Sequence, residues 1–126
     1  MKIPENLLYT KDHEWIKIEC GYAYIGITDF AQRELGDIVY VEIDTVGENL
    51  HKNDVFGTVE AVKTVSDLYL PVGGEILEFN SKLESNPELV NQDPYGEGWM
   101  IKLKIENPEQ TDRLLKPDAY SLLIGY

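Results

Sequence analysis

Apolar and polar residues alternate with a period of two through most of this chain, and that alternation predicts a molecule built of short β-strands. The cleanest run is Trp99-Met100-Ile101-Lys102-Leu103-Lys104-Ile105. Its pleat should send Trp99, Ile101, Leu103 and Ile105 to the core and Lys102 and Lys104 to solvent. Trp15 to Glu19 and Tyr22 to Ile27 read as two further strands, turning at Cys20-Gly21. Ile38 to Ile43 resumes the pattern with Val39, Val41 and Ile43 on one face. Val55 to Ala61 sets Val55, Gly57, Val59 and Ala61 against Phe56, Thr58 and Glu60. Leu68, Leu70 and Val72 then alternate with Tyr69 and Pro71. Period-two runs on both sides place Val62-Lys63-Thr64 at the tip of a hairpin. The tip holds no Gly, Asn or Pro, so propensity alone would run one strand straight through. A type I turn accepts most residues, and the hairpin reading rests on it.

Few stretches leave the β pattern. Thr28 to Gly36 reads as a short helix over residues 29–35. Asp29 with Gln32 has the form of a capping box, and Gly36 suits a left-handed residue after the last turn. Asn107-Pro108-Glu109 has helix-start chemistry; Leu114 and Leu115 end that piece and Pro117 breaks it. Asp118 to Leu123 is expected to form another short helix in the C-terminal tail. Gly47 with Glu48-Asn49, Gly73-Gly74 and Gly96-Glu97-Gly98 mark turns and loops.

An internal repeat overlies these elements. Gly36-Asp37-Ile38-Val39-Tyr40-Val41-Glu42 parallels Gly74-Glu75-Ile76-Leu77-Glu78-Phe79-Asn80, and Asn53-Asp54-Val55-Phe56-Gly57 parallels Gln92-Asp93-Pro94-Tyr95-Gly96. Lys63 lies between the copies. Two similar β units flanking one turn imply an approximate two-fold relation, with the lysine hairpin crossing between halves. Val39, Val41, Val59, Leu77, Ile101 and Leu103 are then expected in one core.

Composition narrows the partners. At 126 residues the chain is read as one domain, residues 1–126. Eleven Lys and Arg against 23 Asp and Glu give a net charge of −12, which argues against nucleic acid or an anionic membrane as partner. It favours docking onto basic patches of other proteins. Cys20 is the only cysteine, so no internal disulfide forms. No apolar run approaches the length of a membrane span, and the start, Met1-Lys2-Ile3-Pro4-Glu5, is neither an apolar signal nor an Arg-rich transit peptide. A cytoplasmic location is expected, with the mitochondrial matrix an alternative only where a presequence has been removed.

No catalytic residue or metal ligand emerges. Ser66 and Asp67 are adjacent, but His13 and His51 are distant in sequence and carry no nucleophile signature. Two histidines and one cysteine lack metal-ligand spacing, and no glycine pattern cradles a phosphate. Reactivity must then come from something attached, and a lysine at a hairpin tip presents its amine to acylation.

The residues around Lys63 give that reading its context. Glu60-x-Val62-Lys63, followed by Ser66-Asp67-Leu68-Tyr69-x-Pro71-Val72-x-Gly74-Glu75-Ile76, resembles the lipoyl-lysine segment of the H protein of the glycine cleavage system. Tyr9-Thr10-Lys11-x-His13-Glu14-Trp15, Gly26-Ile27-Thr28-Asp29-x-Ala31-Gln32, Leu35-Gly36-Asp37-Ile38-Val39-Tyr40-Val41-Glu42 and Asp93-Pro94-Tyr95-Gly96-x-Gly98-Trp99 are similar to further motifs of that family, in the family's order. The resemblance implies a mainly β fold, a flattened β-barrel or sandwich of the lipoyl/biotinyl-domain type with pseudo-two-fold halves. It implies lipoate in amide linkage to Lys63, attached by a lipoate ligase or a lipoyl or octanoyl transferase, on a carrier that is not itself an enzyme.

By the same resemblance, a pyridoxal-phosphate glycine decarboxylase (P protein) passes the aminomethyl group of glycine to one lipoyl sulfur as the disulfide is reduced. A tetrahydrofolate-dependent aminomethyltransferase (T protein) removes the one-carbon unit and releases ammonia. Dihydrolipoyl dehydrogenase (L protein) reoxidises the dithiol. A monomer is expected. Ala61 and Thr64 depart from the family pattern, where serine and alanine are commoner beside the lysine. The rivals are an H-like protein that relays lipoyl groups to other enzymes, a biotin carrier, an acyltransferase lipoyl domain, whose usual Asp-Lys-Ala is absent, and an unmodified acidic adaptor. The second usually has methionines where Val62 and Thr64 stand.

Glu14 and Asp67 are the candidates for docking the loaded arm. An aminomethyl amine leaving bulk water needs a carboxylate or other acceptor, and a drier cleft protects it from loss of ammonia. Glu14 lies in the Thr10-x-x-His13-Glu14-Trp15 motif and Asp67 four residues beyond the lysine. Trp15 is expected to supply an apolar wall.

Overall fold

Nine strands carry the period-two pattern in the computed structural model, which describes residues 1–126. They are β1 (Leu8–Tyr9), β2 (Glu14–Glu19), β3 (Tyr22–Ile27), β4 (Ile38–Glu42), β5 (Asn49–Leu50), β6 (Val55–Ala61), β7 (Val65–Tyr69), β8 (Gly74–Phe79) and β9 (Ile101–Ile105). A six-stranded antiparallel sheet runs β1-β2-β3-β9-β8-β5, and a three-stranded one runs β4-β6-β7. Side chains from both sheets meet in one core: Ile16, Ala23, Ile25, Ile76, Ile101 and Leu103 from the larger, Val41, Phe56, Val59, Ala61 and Leu68 from the smaller. The result is an open sandwich, mainly β as expected, with no closed barrel. Four short helices cover its ends: α1 (Asp29–Leu35), α2 (Lys82–Ser85), α3 (Leu89–Gln92) and α4 (Pro117–Ile124). No helix is long and apolar enough to cross a membrane.

The β2–β3 hairpin turns where the sequence placed it. Glu19 pairs with Tyr22, and both Cys20 (φ 49°) and Gly21 (φ 84°) take positive φ. That is the primed turn whose twist matches the flanking strands. The α1 cap is one residue earlier than the capping-box reading had it. Thr28 is the N-cap, its Oγ1 accepting from the N–H of Ala31 at 3.2 Å. Asp29 is the first helical residue, and its Oδ1 accepts from Gln32 Nε2 at 2.7 Å. Gly36 closes the helix at φ 83°, ψ −158°, a region open in practice only to glycine.

The internal repeat leaves a physical trace. β4 breaks register between Ile38 and Tyr40 against β6, and β8 breaks register between Ile76 and Glu78 against β9. These are equivalent positions of the two copies. Each bulge adds one residue, Val39 and Leu77 respectively, and so resets which side chains face inward. This corrects the expected core. Val41, Val59, Ile101 and Leu103 are buried, but Val39 is 49% exposed and Leu77 only half-buried, while Ile38 and Ile76 point inward.

Other boundaries shift for local reasons. β9 begins at Ile101, so Trp99 lies outside the alternation and packs edge-on against Tyr24, while Met100 is buried. β7 starts at Val65, paired with Glu60, and Leu70 to Val72 leave the sheet as a buried connection. Pro108–Arg113 forms a 3₁₀ turn, and Pro117, expected as a breaker, instead opens α4 as its first residue. Helices α2 and α3 are one turn each and carry no apolar period, so no sequence pattern announces them; each sends one side chain, Leu83 or Val90, into the core. A smaller cluster of Leu7, Tyr9, Trp15 and Tyr120 fastens α4 to β1, with Tyr9 and Tyr120 stacked at 4.6 Å.

Candidate functional site

The β6–β7 hairpin places Lys63 at its tip. The N–H of Ala61 donates to the carbonyl of Thr64 at 2.7 Å, leaving Val62 and Lys63 as the two-residue connection. Neither takes positive φ, so the turn is not of the primed kind and needs no glycine. The N–H of Val62 donates to the carbonyl of Asp37 at 3.1 Å, tying the tip to the segment that enters β4. Lys63 is exposed and has no carboxylate within ion-pair distance. Val62 beside it is 72% exposed and Val65 59%. Register sets Tyr40, Glu60 and Val65 in one row across the sheet and Glu42, Thr58 and Asp67 two rows on, with Val41, Val59 and Ser66 between them. A primary amine therefore projects from a strand-backed turn with apolar and acidic neighbours and no competing partner.

Below the tip, a cleft of about 230 Å³ opens between α1 and β7. Ile27, Phe30, Leu35 and Leu68 supply its apolar wall; Asp12, Glu34, Ser66 and Asp67 its polar lining; His13 and Glu14 also line it. Both arm-docking candidates thus reach one cleft, in different environments. Asp67 is exposed and free of ion pairs. Glu14 is 2% exposed, with Oε2 accepting from the backbone N–H of Tyr69 at 2.8 Å and Oε1 from Thr10 Oγ1 at 3.3 Å. Burial pushes the Glu14 carboxyl up to about 8, against the pull of the Tyr69 hydrogen bond. The carboxyl therefore holds a proton near neutral pH that a solvated glutamate would have released.

His13 sits at positive φ (65°) and packs against Phe30 with ring centroids 4.7 Å apart. Its Nδ1 lies 3.0 Å from Tyr120 Oη, which also lies 2.7 Å from Thr28 Oγ1. Burial lowers the His13 pKa below the ordinary histidine value, so the ring is neutral at neutral pH. One hydroxyl of α4 thereby links the cap of α1 to the loop residue His13, which precedes Glu14 at the start of β2.

Trp15 is not part of the cleft. Pleating sends it to the opposite face of β2, where its Nε1 donates to the carbonyl of Pro94 at 2.9 Å. Its indole lies so close over Gly26 that a Cβ there would come within 2.8 Å of it. The apolar wall expected from Trp15 comes instead from Phe30 and Leu35 of α1. Sequence reasoning also missed Thr10 and the Tyr69 N–H as partners of Glu14. Thr10 stood four residues away in the same motif, whereas a backbone donor leaves no sequence signal.

A model of the glycine cleavage H-protein family matches residues 7–124. The chain is 57% identical over 125 residues to the glycine cleavage system H protein of Bacteroides thetaiotaomicron, covering 99% of each. It is 56% identical over 121 residues to that of Salinibacter ruber, covering 96% of this chain and 98% of the relative. The crystal structure of a glycine cleavage system H protein from Mycobacterium marinum superposes with a TM-score of 0.88 at 36% identity, over 98% of this chain and 100% of that one.

Proposed function

The chain belongs to the glycine cleavage H-protein family, and on that footing we propose that Lys63 carries lipoate in amide linkage at the β6–β7 tip. The protein is the carrier component of glycine cleavage, a shuttle and not itself a catalytic enzyme. The observation that carries the lysine assignment is the exposed, unpaired Lys63 on a two-residue tip above an apolar cleft lined by carboxylates. The fit is chemical. An amide removes the lysine charge, and Ile27, Phe30, Leu35 and Leu68 suit an aliphatic arm laid beneath the tip. Once attached, lipoate supplies a strained disulfide that accepts the aminomethyl group of glycine as it is reduced.

The protein's own residues position and protect. Glu14, held by Tyr69 and Thr10, transfers its proton to an amine that enters the cleft as the free base and then accepts a hydrogen bond from the resulting ammonium. Asp67, at the exposed side, offers a second acceptor. The successive hosts of the arm are then the glycine decarboxylase, the aminomethyltransferase and the dihydrolipoyl dehydrogenase, and a lipoate ligase or a lipoyl or octanoyl transferase loads Lys63. We place this exchange in the cytoplasm and the carrier as a monomer. The family match over residues 7–124 favours glycine cleavage over relay of lipoyl groups or biotin carriage.

Intact mass of the protein from a lipoate-replete host tests the assignment. One lipoyl increment is expected in the wild type and none in Lys63→Arg, with the fold retained by circular dichroism. An increment surviving in Lys63→Arg would overturn it.

A further inference from the structure

A second cleft, of about 180 Å³, shares Asp12 and Glu14 with the first but opens among different segments. The loop leaving β1, the turn between β5 and β6, the connection leaving β7 and the junction between the 3₁₀ turn and α4 converge on it. Leu114 and Leu115, both half-buried, give it an apolar wall, with the buried Leu70 and Pro71 behind the surface. Lys11, Lys52 and Arg113 line it from three separate segments.

The charge there runs against the whole molecule. The chain has 23 acidic residues and only 11 basic ones, yet none of these three cations forms an ion pair; the three that exist use Lys17, Arg33 and Lys82. Asp12 and Glu14 are the two acidic residues in the lining, and burial pushes the Glu14 carboxyl up to about 8. Cations left unpaired where acids outnumber them two to one are free to meet an anion.

The backbones that carry these charges are fixed. Asn53, at φ 73°, donates its N–H to the carbonyl of Leu70 at 2.8 Å, which ties the Lys52 turn to the connection leaving β7. Leu115 and Tyr9 exchange two backbone hydrogen bonds of 2.8 Å each, which fixes the Arg113 side against β1. The backbone of these segments therefore loses little freedom on binding, and the cost falls on the cationic side chains.

We propose that this cleft binds a small carboxylic acid with a short aliphatic stem, the carboxylate against Lys52, Arg113 and Lys11 and the stem against Leu114 and Leu115. A bare inorganic anion would leave the wall wet, and an uncharged chain would leave the cations unused. The proposal does not rest on lipoylation of Lys63, which lies outside this cleft, although Glu14 lines both clefts.

The test is a titration of the ¹⁵N-labelled full chain, at low chloride and pH 7, with hexanoate, acetate and hexanol in separate arms. Hexanoate should move the amides of Asn53, Leu114 and Leu115 saturably and together, with acetate and hexanol at least tenfold weaker. Lys52→Gln with Arg113→Gln should weaken hexanoate at least tenfold while leaving the remaining spectrum folded and unchanged. Leu114→Ala should weaken hexanoate but not acetate. Lys63→Arg should bind hexanoate as the wild type does, whatever its lipoylation. Absence of saturable shifts, equal response to hexanol, or an undiminished response in the double variant would overturn the proposal.

Discussion

Glu14 and Tyr69 are joined by a 2.8 Å hydrogen bond from the tyrosine N–H to Oε2 of the carboxylate, across 55 residues of sequence. Tyr69 ends the strand that leaves the Lys63 tip, so the buried carboxylate of the cleft is anchored to the foot of the hairpin. A change of charge on Glu14 is felt at that foot, and a displacement of the foot is felt by Glu14.

Stability should therefore depend on pH through Glu14. Its folded value of about 8 lies above the ordinary 4.5, so between these values the folded chain keeps a proton that the unfolded chain has released. Stability contributed by the protonated form is complete below about pH 4.5 and is lost as pH rises through about 8. Relative to Glu14→Gln, which keeps an acceptor for Tyr69, the wild type should lose about 3–5 kcal/mol between pH 5 and pH 8.5. Urea unfolding of both proteins at several pH values measures this. A wild-type curve parallel to that of the glutamine variant would show that Glu14 is ionised in the folded state.

Loss of ammonia from the aminomethyl-bearing carrier, without the transferase present, should accelerate when Glu14 no longer accepts the amine. An increase of roughly tenfold in Glu14→Gln and Glu14→Ala corresponds to one charge-assisted hydrogen bond of about 1.5 kcal/mol. Lipoylation of both variants, read by mass, should be unchanged. An unaltered rate of ammonia release would remove Glu14 from that role.

The bulge at Val39 separates two substitutions that the plain alternation would treat alike. Leu103→Ala should cost about 2–5 kcal/mol through lost burial and a cavity. Val39→Ala, at a half-exposed site, should stay within about 0.5 kcal/mol of the wild type. Equal costs by chemical denaturation would mean that Val39 faces the core after all.

Cys20 occupies a positive-φ position that asparagine adopts more readily. Cys20→Asn creates the Asn-Gly pair favoured in this turn and should stabilise the protein by about 0.5–1 kcal/mol. A fall in the melting temperature would contradict the turn geometry.

The parts that were legible in the sequence share a cause. The strands from Trp15 to Ile27 and from Val55 to Ala61 sustain alternation, so burial of one face dictates both element and register. Helix α1 has a cap, a Gly36 stop and little else, and that was enough. The bulges were hidden because Val39 and Leu77 look like ordinary core residues until a ladder partner is known. At the site, Lys63, Glu14 and Asp67 were visible as charged groups in recognisable motifs. Phe30 and Leu35 were not, because which face of a seven-residue helix overhangs β7 is decided by packing alone. Trp15 was misplaced for a related reason: neighbours in a motif point to opposite sides of a strand.

The tip that bears Lys63 is short, free of glycine and hydrogen-bonded at Ala61 and Val62. It is a stiff tether point and not a flexible leash. Whatever is attached at Nζ explores a volume fixed by the length of its own chain plus the lysine stem, since the loop contributes little slack. A shorter reach raises the effective concentration of the cargo at surfaces within that radius and excludes those beyond it. Lengthening the turn by two glycines would dilute the cargo over a larger volume without altering a single contact in the cleft.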